Sequence, residues 1–127
     1  WMVRLVDVGP DGSAMLLAEG IMRARHRDPD NEGRFNSTKL SEIEPDEVYR
    51  YTLGFWRLTG NVFDVGHKIR VEISSSYYPF YLRSLNSGRD NAGLATVDEI
   101  VVATQRIFHG PNYPSKIVLP VIPVRDR

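Results

Sequence analysis

An all-β fold is the class that three features of this 127-residue sequence predict. Runs rich in Val, Ile, Tyr and Phe are short, and clusters of Gly, Pro, Asn and Asp separate them. Several runs alternate polar and apolar residues, the period of a strand with one buried face. No run sustains a long helical period. The length suits a single core, since a chain of this size buries roughly two-thirds of the surface it exposes when unfolded. Seven or so short antiparallel strands without an internal repeat make a β-sandwich or jelly roll the natural architecture.

The elements follow in chain order. "WMVRLVDV" is strand-like from Trp1, with no initiator methionine, cap or turn before it. The sequence therefore reads as the C-terminal piece of something longer. "GPDG" suits a tight turn, because Pro presets one dihedral and Gly accepts positive φ. "AMLLA" and "GIMRAR" read as two short strands with a bend or bulge at Glu19-Gly20. Asp28 to Ser41 is polar and reads as a surface loop. In "EVYRYTLGFW", Tyr49, Tyr51, Leu53 and Phe55 share one face of a strand and Arg50, Thr52 and Gly54 the other. "NVFDVG" is a short approach closed by Gly66. The next strand turns Ile69, Val71 and Ile73 inward and Lys68, Arg70 and Glu72 outward. Tyr77 to Asp98 is a long connection, the best place for a site. Helical content is limited to a turn near Val97 to Glu99. β-branched enrichment makes "IVVATQRIFHG" a strand. "KIVLPVI" is the last, with Pro120 tolerable only where no ladder donor is needed.

Composition narrows the function. Lysine plus arginine and aspartate plus glutamate number 16 each, which removes the electrostatic case for a nucleic-acid or anionic-membrane partner. Arginines gather in "IMRARHR", but "DPDNE" follows and offsets them. The absence of cysteine rules out a disulfide framework and a thiolate zinc site, and three dispersed histidines make a poor metal cluster. No run approaches the roughly 18 apolar residues of a membrane span, and none has the pattern of a signal peptide. The expectation is a soluble chain, cytoplasmic rather than secreted, with no cofactor or metal.

The stretch "GHKIRVEISSSYYPFY" sets three serines after a histidine, residue types that nucleophilic chemistry uses. The G-x-S-x-G elbow of α/β-hydrolases is absent. Ser74, Ser75 and Ser76 end a strand, where hydroxyls commonly satisfy turn backbone. His67 with Asp64 supplies a base and an orienting carboxylate on paper, but ordinary turn chemistry explains both. His26 and His109 read as surface or turn residues, and Asp11 as a turn residue. Asp7 shares the register of Trp1, Val3 and Leu5, so it faces inward and needs a partner, which Arg23 or Arg25 on a neighbouring strand could supply. No catalytic residue is assigned. Tyr77, Tyr78, Phe80 and Tyr81 around Pro79 admit three readings: a platform that stacks on sugars, an apolar patch that docks on another domain, or rings folded back over the sandwich as core.

"RLVDVGPDGSAMLLAEGIMRARHR", "GNVFDVGHKIRVEISSSYYPFYLRSLNSG" and "QRIFHGPNYPSKIVLPVI" together resemble the C-terminal domain of serine hydrolases of the cocaine esterase and X-Pro dipeptidyl-peptidase type, a group that also includes α-amino acid ester hydrolases and glutaryl or cephalosporin acylases. These stretches recur in order and cover most of the chain. The resemblance implies a galactose-binding-like jelly roll, residues 1–127 forming one partial C-terminal domain, packed on an α/β-hydrolase domain of the same parent chain that carries the triad. It also implies a role in supporting that domain, walling its pocket and forming homo-oligomers. Where family members read Asn-Phe-Pro after the serines, this chain reads Tyr77-Tyr78-Pro79, and Arg83 and Asn86 follow. That loop lies toward the rest of the enzyme in the family. Tyr77, Tyr78, Phe80, Tyr81, Arg83 and Asn86 are therefore the expected interface or pocket-wall residues. The rival is an independent carbohydrate-binding β-sandwich, which a flat exposed row of Tyr77, Tyr78 and Tyr81 would favour. A third reading is a purely structural assembly domain.

Overall fold

The computed structural model describes residues 1–29, 38–57, 59–88 and 96–123. Three strands form among them: β1 (Met2–Val8), β2 (Ala14–Ile21) and β3 (Lys68–Ser74). They make one antiparallel sheet in the order β2-β1-β3. The domain is all-β, its helical content among the described residues confined to single turns of 3-10 helix at Ala24–His26 and Val97–Glu99. The second is the turn expected from the sequence. There Thr96 and Glu99 form a reciprocal capping box that satisfies the orphan donors of the turn.

β1 is the centre of the sheet, and its composition shows why. A strand buried on one face alternates, whereas "MVRLVDV" is nearly unbroken apolar sequence. Met2 and Val6 are buried on one face, Val3 and Leu5 on the other. Burying each such side chain contributes about 1.5–3 kcal/mol. Ala18 opposite Leu5, together with Met22, completes the buried apolar set among the described residues.

The first turn forms as its residues dictate. Gly9 N–H donates to Ser13 O at 2.9 Å, Gly12 takes φ 85°, and Asp11 Oδ1 accepts from Ser13 N–H at 2.9 Å. Asp11 is the turn residue expected. Gly66, at φ 88°, closes a second turn in which His67 N–H donates to Asp64 O at 3.0 Å. The two turns lie at the same end of the sheet.

Several expectations need correction. "AMLLA" and "GIMRAR" are not two strands: β2 runs unbroken from Ala14 to Ile21, and the following arginines enter the first 3-10 turn. The irregularity comes earlier than Glu19-Gly20. Leu5 pairs with Ala18 and Val6 with Leu16, so Leu17 is the extra, bulged residue. Residues 47–56 form no strand, yet their alternation survives in burial, with Tyr49, Tyr51, Leu53 and Phe55 half-buried between exposed neighbours. Trp56 N–H donates to Glu19 O at 2.9 Å, laying this segment along the free edge of β2.

Ile69, Val71 and Ile73 share a face with Asp7, Leu5 and Val3, as their register requires, but are 52, 39 and 39% exposed. The segments 61–66, 100–110 and 116–122 also join no ladder. Their β-branched residues fit a pleated, half-buried surface, and that preference yields a strand only beside a partner edge. The seven expected strands are thus three among the described residues. Residues 30–37 of the polar loop and 89–95 of the long connection lie outside the described residues.

Candidate functional site

Two places concentrate polar or aromatic chemistry. The first is at the turn end of the sheet. Asp7 is 4% exposed, and a carboxylate so buried needs donors. His67 Nδ1 donates to its Oδ1 at 2.8 Å, and Asn61 Nδ2 donates to its Oδ2 at 3.0 Å. The Asn61 bond is the main reason the Asp7 carboxyl titrates below its ordinary 3.8, with the hydrogen bond and charge of His67 adding to it against the opposing effect of desolvation.

Neither expected pairing forms. Asp64 meets His67 through its backbone carbonyl, and the imidazole turns to Asp7. Arg23 and Arg25 lie beyond the far end of β2. Asp7 pairs with Met15 and Met2 with Ile21, so five residues, roughly 17 Å of strand, separate the carboxylate from that end. Arg25 pairs instead with Glu42 at 2.6 Å. Arg27 donates to the carbonyls of Glu42 and Ser41 at 2.6 and 3.2 Å and lies 4.1 Å from the Tyr49 ring centroid. Those arginines fasten residues 41–49 to the first 3-10 turn.

An imidazole oriented by a buried carboxylate is two-thirds of a nucleophilic triad. The serines cannot complete it. Ser74 begins its run seven residues along β3 from His67, about 23 Å at the rise of an extended strand. Ser74 Oγ instead donates to Ser76 O at 2.9 Å and accepts from Ser76 N–H at 3.2 Å, closing the turn after β3. The Asp7, His67 and Asn61 cluster ties the approach to β3 onto β1, joining residues 60 apart in sequence. Asn61 went unnoticed in the sequence. The parity of His67 with Ile69 could have linked it to Asp7, because antiparallel pairing sets Ile69 opposite Asp7.

The second place is the loop after Ser76. Its Tyr78-Pro79 peptide is cis, and Tyr81 N–H donates to Tyr77 O at 3.1 Å. The Tyr77 ring stacks on Phe80 with centroids 5.1 Å apart and tilts against Tyr81 at 6.0 Å. Arg4, paired with Glu72 at 2.7 Å, sets its guanidinium 5.1 Å from the Tyr77 centroid and so holds the loop to the sheet. Arg83 covers Tyr78 at 4.7 Å. Asn86, at φ 55°, donates through Nδ2 to Val101 O at 3.1 Å, and Val101 N–H donates to Leu85 O at 2.8 Å.

Tyr77 and Tyr81 are thus half-buried while Tyr78 and Phe80 remain 61 and 75% exposed. None of the four rings belongs to the buried apolar core. A flat row of Tyr77, Tyr78 and Tyr81 does not form, because Tyr77 and Tyr81 are tilted by 34° and Arg83 occupies a face of Tyr78. A shallow apolar groove between Ile21, Met22, Thr52, Gly54, Phe55 and Trp56 contains no ionisable side chain. Among the described residues no group of three or more His, Cys, Asp or Glu is arranged to hold a metal ion, and no helix is long and apolar enough to cross a membrane.

Comparison with known proteins gives a consistent picture. Residues 1–118 match the family described as the X-Pro dipeptidyl-peptidase C-terminal non-catalytic domain. The chain is 43% identical over 119 residues to a cocaine esterase of Rhodococcus sp. (strain MB1 Bresler), a match that takes in 94% of this chain and 19% of that protein. It therefore spans about a fifth of the length of this relative. No solved structure matches the chain.

Proposed function

Because the chain belongs to the family of X-Pro dipeptidyl-peptidase C-terminal non-catalytic domains, we propose that residues 1–127 serve as the C-terminal, non-catalytic β-domain of a longer serine hydrolase acting on acyl esters, amides or X-Pro dipeptides. In such an enzyme an activated serine of an α/β-hydrolase domain attacks the carbonyl and passes through an acyl-enzyme. This chain contributes support and part of the wall around the pocket. Tyr78, Phe80, Arg83 and Asn86 face the catalytic domain, and copies of the chain associate.

The observation that carries this reading is the aromatic loop. Arg4 and Arg83 hold Tyr77 and Tyr78 from the side of this domain, while Phe80 and much of Tyr78 stay uncovered beside it. Rings fixed on one side and exposed on the other suit a docking surface, since aromatic side chains dominate the energetics of buried interfaces.

Hydrolysis of a chromogenic ester and of an X-Pro-nitroanilide, by this chain and by a longer one joining it to its catalytic domain, tests the proposal. Turnover is expected from the longer chain alone, through an acylated serine outside residues 1–127. Within that longer chain, Phe80→Ala and Tyr78→Ala are expected to lower thermal stability or raise KM. Turnover by the purified 127-residue chain would refute the reading.

A further inference from the structure

We propose that Glu72 is a positioning residue for the aromatic loop: acting through the Arg4 guanidinium, it fixes the Tyr77 ring and with it the rest of the loop. The consequence for catalysis rests on the proposed function, in which this loop meets the catalytic domain; the positioning itself does not. Arg4 on β1 and Glu72 on β3 stand directly opposite in the ladder, where side chains of one face lie close enough to pair. The two oxygens of the carboxylate are divided between two cations. Oε2 pairs with Arg4 Nη2 at 2.7 Å and Oε1 with Arg70 Nη2 at 2.9 Å. A carboxylate held at both oxygens has little freedom to turn, and its charge offsets the repulsion between the two guanidinium groups.

The same Arg4 guanidinium lies 5.1 Å from the Tyr77 centroid, so the carboxylate decides where a cation sits against that ring. With side chains 35 and 29% exposed, the Arg4 and Glu72 pair is partly shielded from water, which strengthens it over a fully exposed one. Tyr77 is the node of the loop. Its ring stacks on Phe80 and tilts against Tyr81, and its carbonyl accepts from Tyr81 N–H. The Tyr78 ring, by contrast, is met by Arg83 from within the loop. Because none of these rings is in the buried core, apolar burial alone does not seat the loop, and the contact from Arg4 joins it to the sheet.

Glu72→Gln keeps the size of the side chain and one acceptor and removes the charge. Arg4 and Arg70 then repel, and Arg4 leaves the ring for water. Amide hydrogen exchange, followed by mass spectrometry on peptides spanning residues 75–86 of the longer hydrolase, reads the result locally. Exchange in the loop, the Tyr81 amide included, is expected to quicken about two- to fivefold, the loss of one exposed cation–π contact. Tyr77→Leu should do the same. In an Arg4→Met background, which keeps an unbranched stem and lacks the cation, Glu72→Gln should add nothing further. Peptides from β2 should exchange as in the parent.

Loop exchange unchanged in Glu72→Gln overturns the proposal. A quickening that persists undiminished in the Arg4→Met background, or that spreads equally to β2, overturns it as well. KM adds the functional readout. With the loop at the pocket wall, Glu72→Gln is expected to raise KM for a chromogenic ester about two- to fivefold at an unchanged kcat, since the lost contact serves binding and not the chemical step. Quickened exchange with an unchanged KM upholds the positioning and counts against the loop's place at the pocket. Exchange is read without turnover, so failure here and failure of the hydrolase reading are separate results.

Discussion

Gly20→Ala probes a close approach between β2 and the segment at Gly54. A Cβ at Gly20 would lie 1.9 Å from the Gly54 carbonyl oxygen and 3.0 Å from both the Gly54 carbonyl carbon and Trp56 Cδ1. Ordinary contact begins at 3.4 Å, so the backbone at Gly54 must retreat by about 1.5 Å. That movement pulls on the bond from Trp56 N–H to Glu19 O, now 2.9 Å. Losing the bond costs about 1 kcal/mol and the overpacking about 1–3 kcal/mol, giving a destabilisation of about 2–4 kcal/mol. Urea unfolding followed by far-UV circular dichroism measures it, avoiding indole fluorescence because Trp56 lies at the contact itself. Gly54→Ala is the companion. A Cβ there meets nothing within 4 Å, so it should change stability by no more than about 0.5 kcal/mol. The reasoning is refuted if the two variants are equally stable, or if Gly20→Ala is neutral.

Other outcomes are equally specific. The folded Asp7 carboxyl titrates below 3.8, so its stabilisation is complete above that value and is lost as pH falls through the lower folded value; Asp7→Asn should reduce stability at pH 7 and flatten the acid limb of the unfolding profile. Arg4→Ala removes an ion pair about one-third exposed and a cation–π contact, a loss of about 0.5–1.5 kcal/mol, and added salt should shrink the gap between variant and parent in thermal unfolding. Ser74→Ala opens the turn after β3 at a cost of about 1 kcal/mol, and ester turnover by the longer hydrolase should be unchanged.

What the sequence disclosed follows the range of the interactions involved. The Gly9 to Ser13 turn, the helical turn at Val97–Glu99 and the Ser74 turn depend on residues a few positions apart, and the local residue order marks them. The alternation from Tyr49 to Phe55 correctly marked the half-buried face, although burial there comes without a ladder. Asp7 faces inward as its register predicts, but its partners, Asn61 and His67, lie on the approach to β3 and not after β2. Opposite charge suggested arginine, whereas register places His67 beside it and Arg23 at the other end of the sheet. Periodicity shows which side chains share a face and leaves open which strand lies alongside. The loop residues from Tyr77 to Asn86 were legible as a group, while their internal arrangement, with arginines over two of the rings, depends on contacts that sequence spacing does not encode.

The strand order also governs how the domain is made. β1 and β2 are joined by a short turn and can pair as soon as both have left the ribosome, but β3 follows only after the whole stretch between Ile21 and Lys68. At roughly 5–20 residues per second that delay is about 2–9 s, far longer than the microseconds a hairpin needs to form. Throughout it, the side of β1 destined for β3 is an open apolar edge on a nascent chain. Chains arrested just after Ile21 should therefore aggregate or recruit chaperones more readily than chains arrested after Ser74, where the central strand has gained its second neighbour.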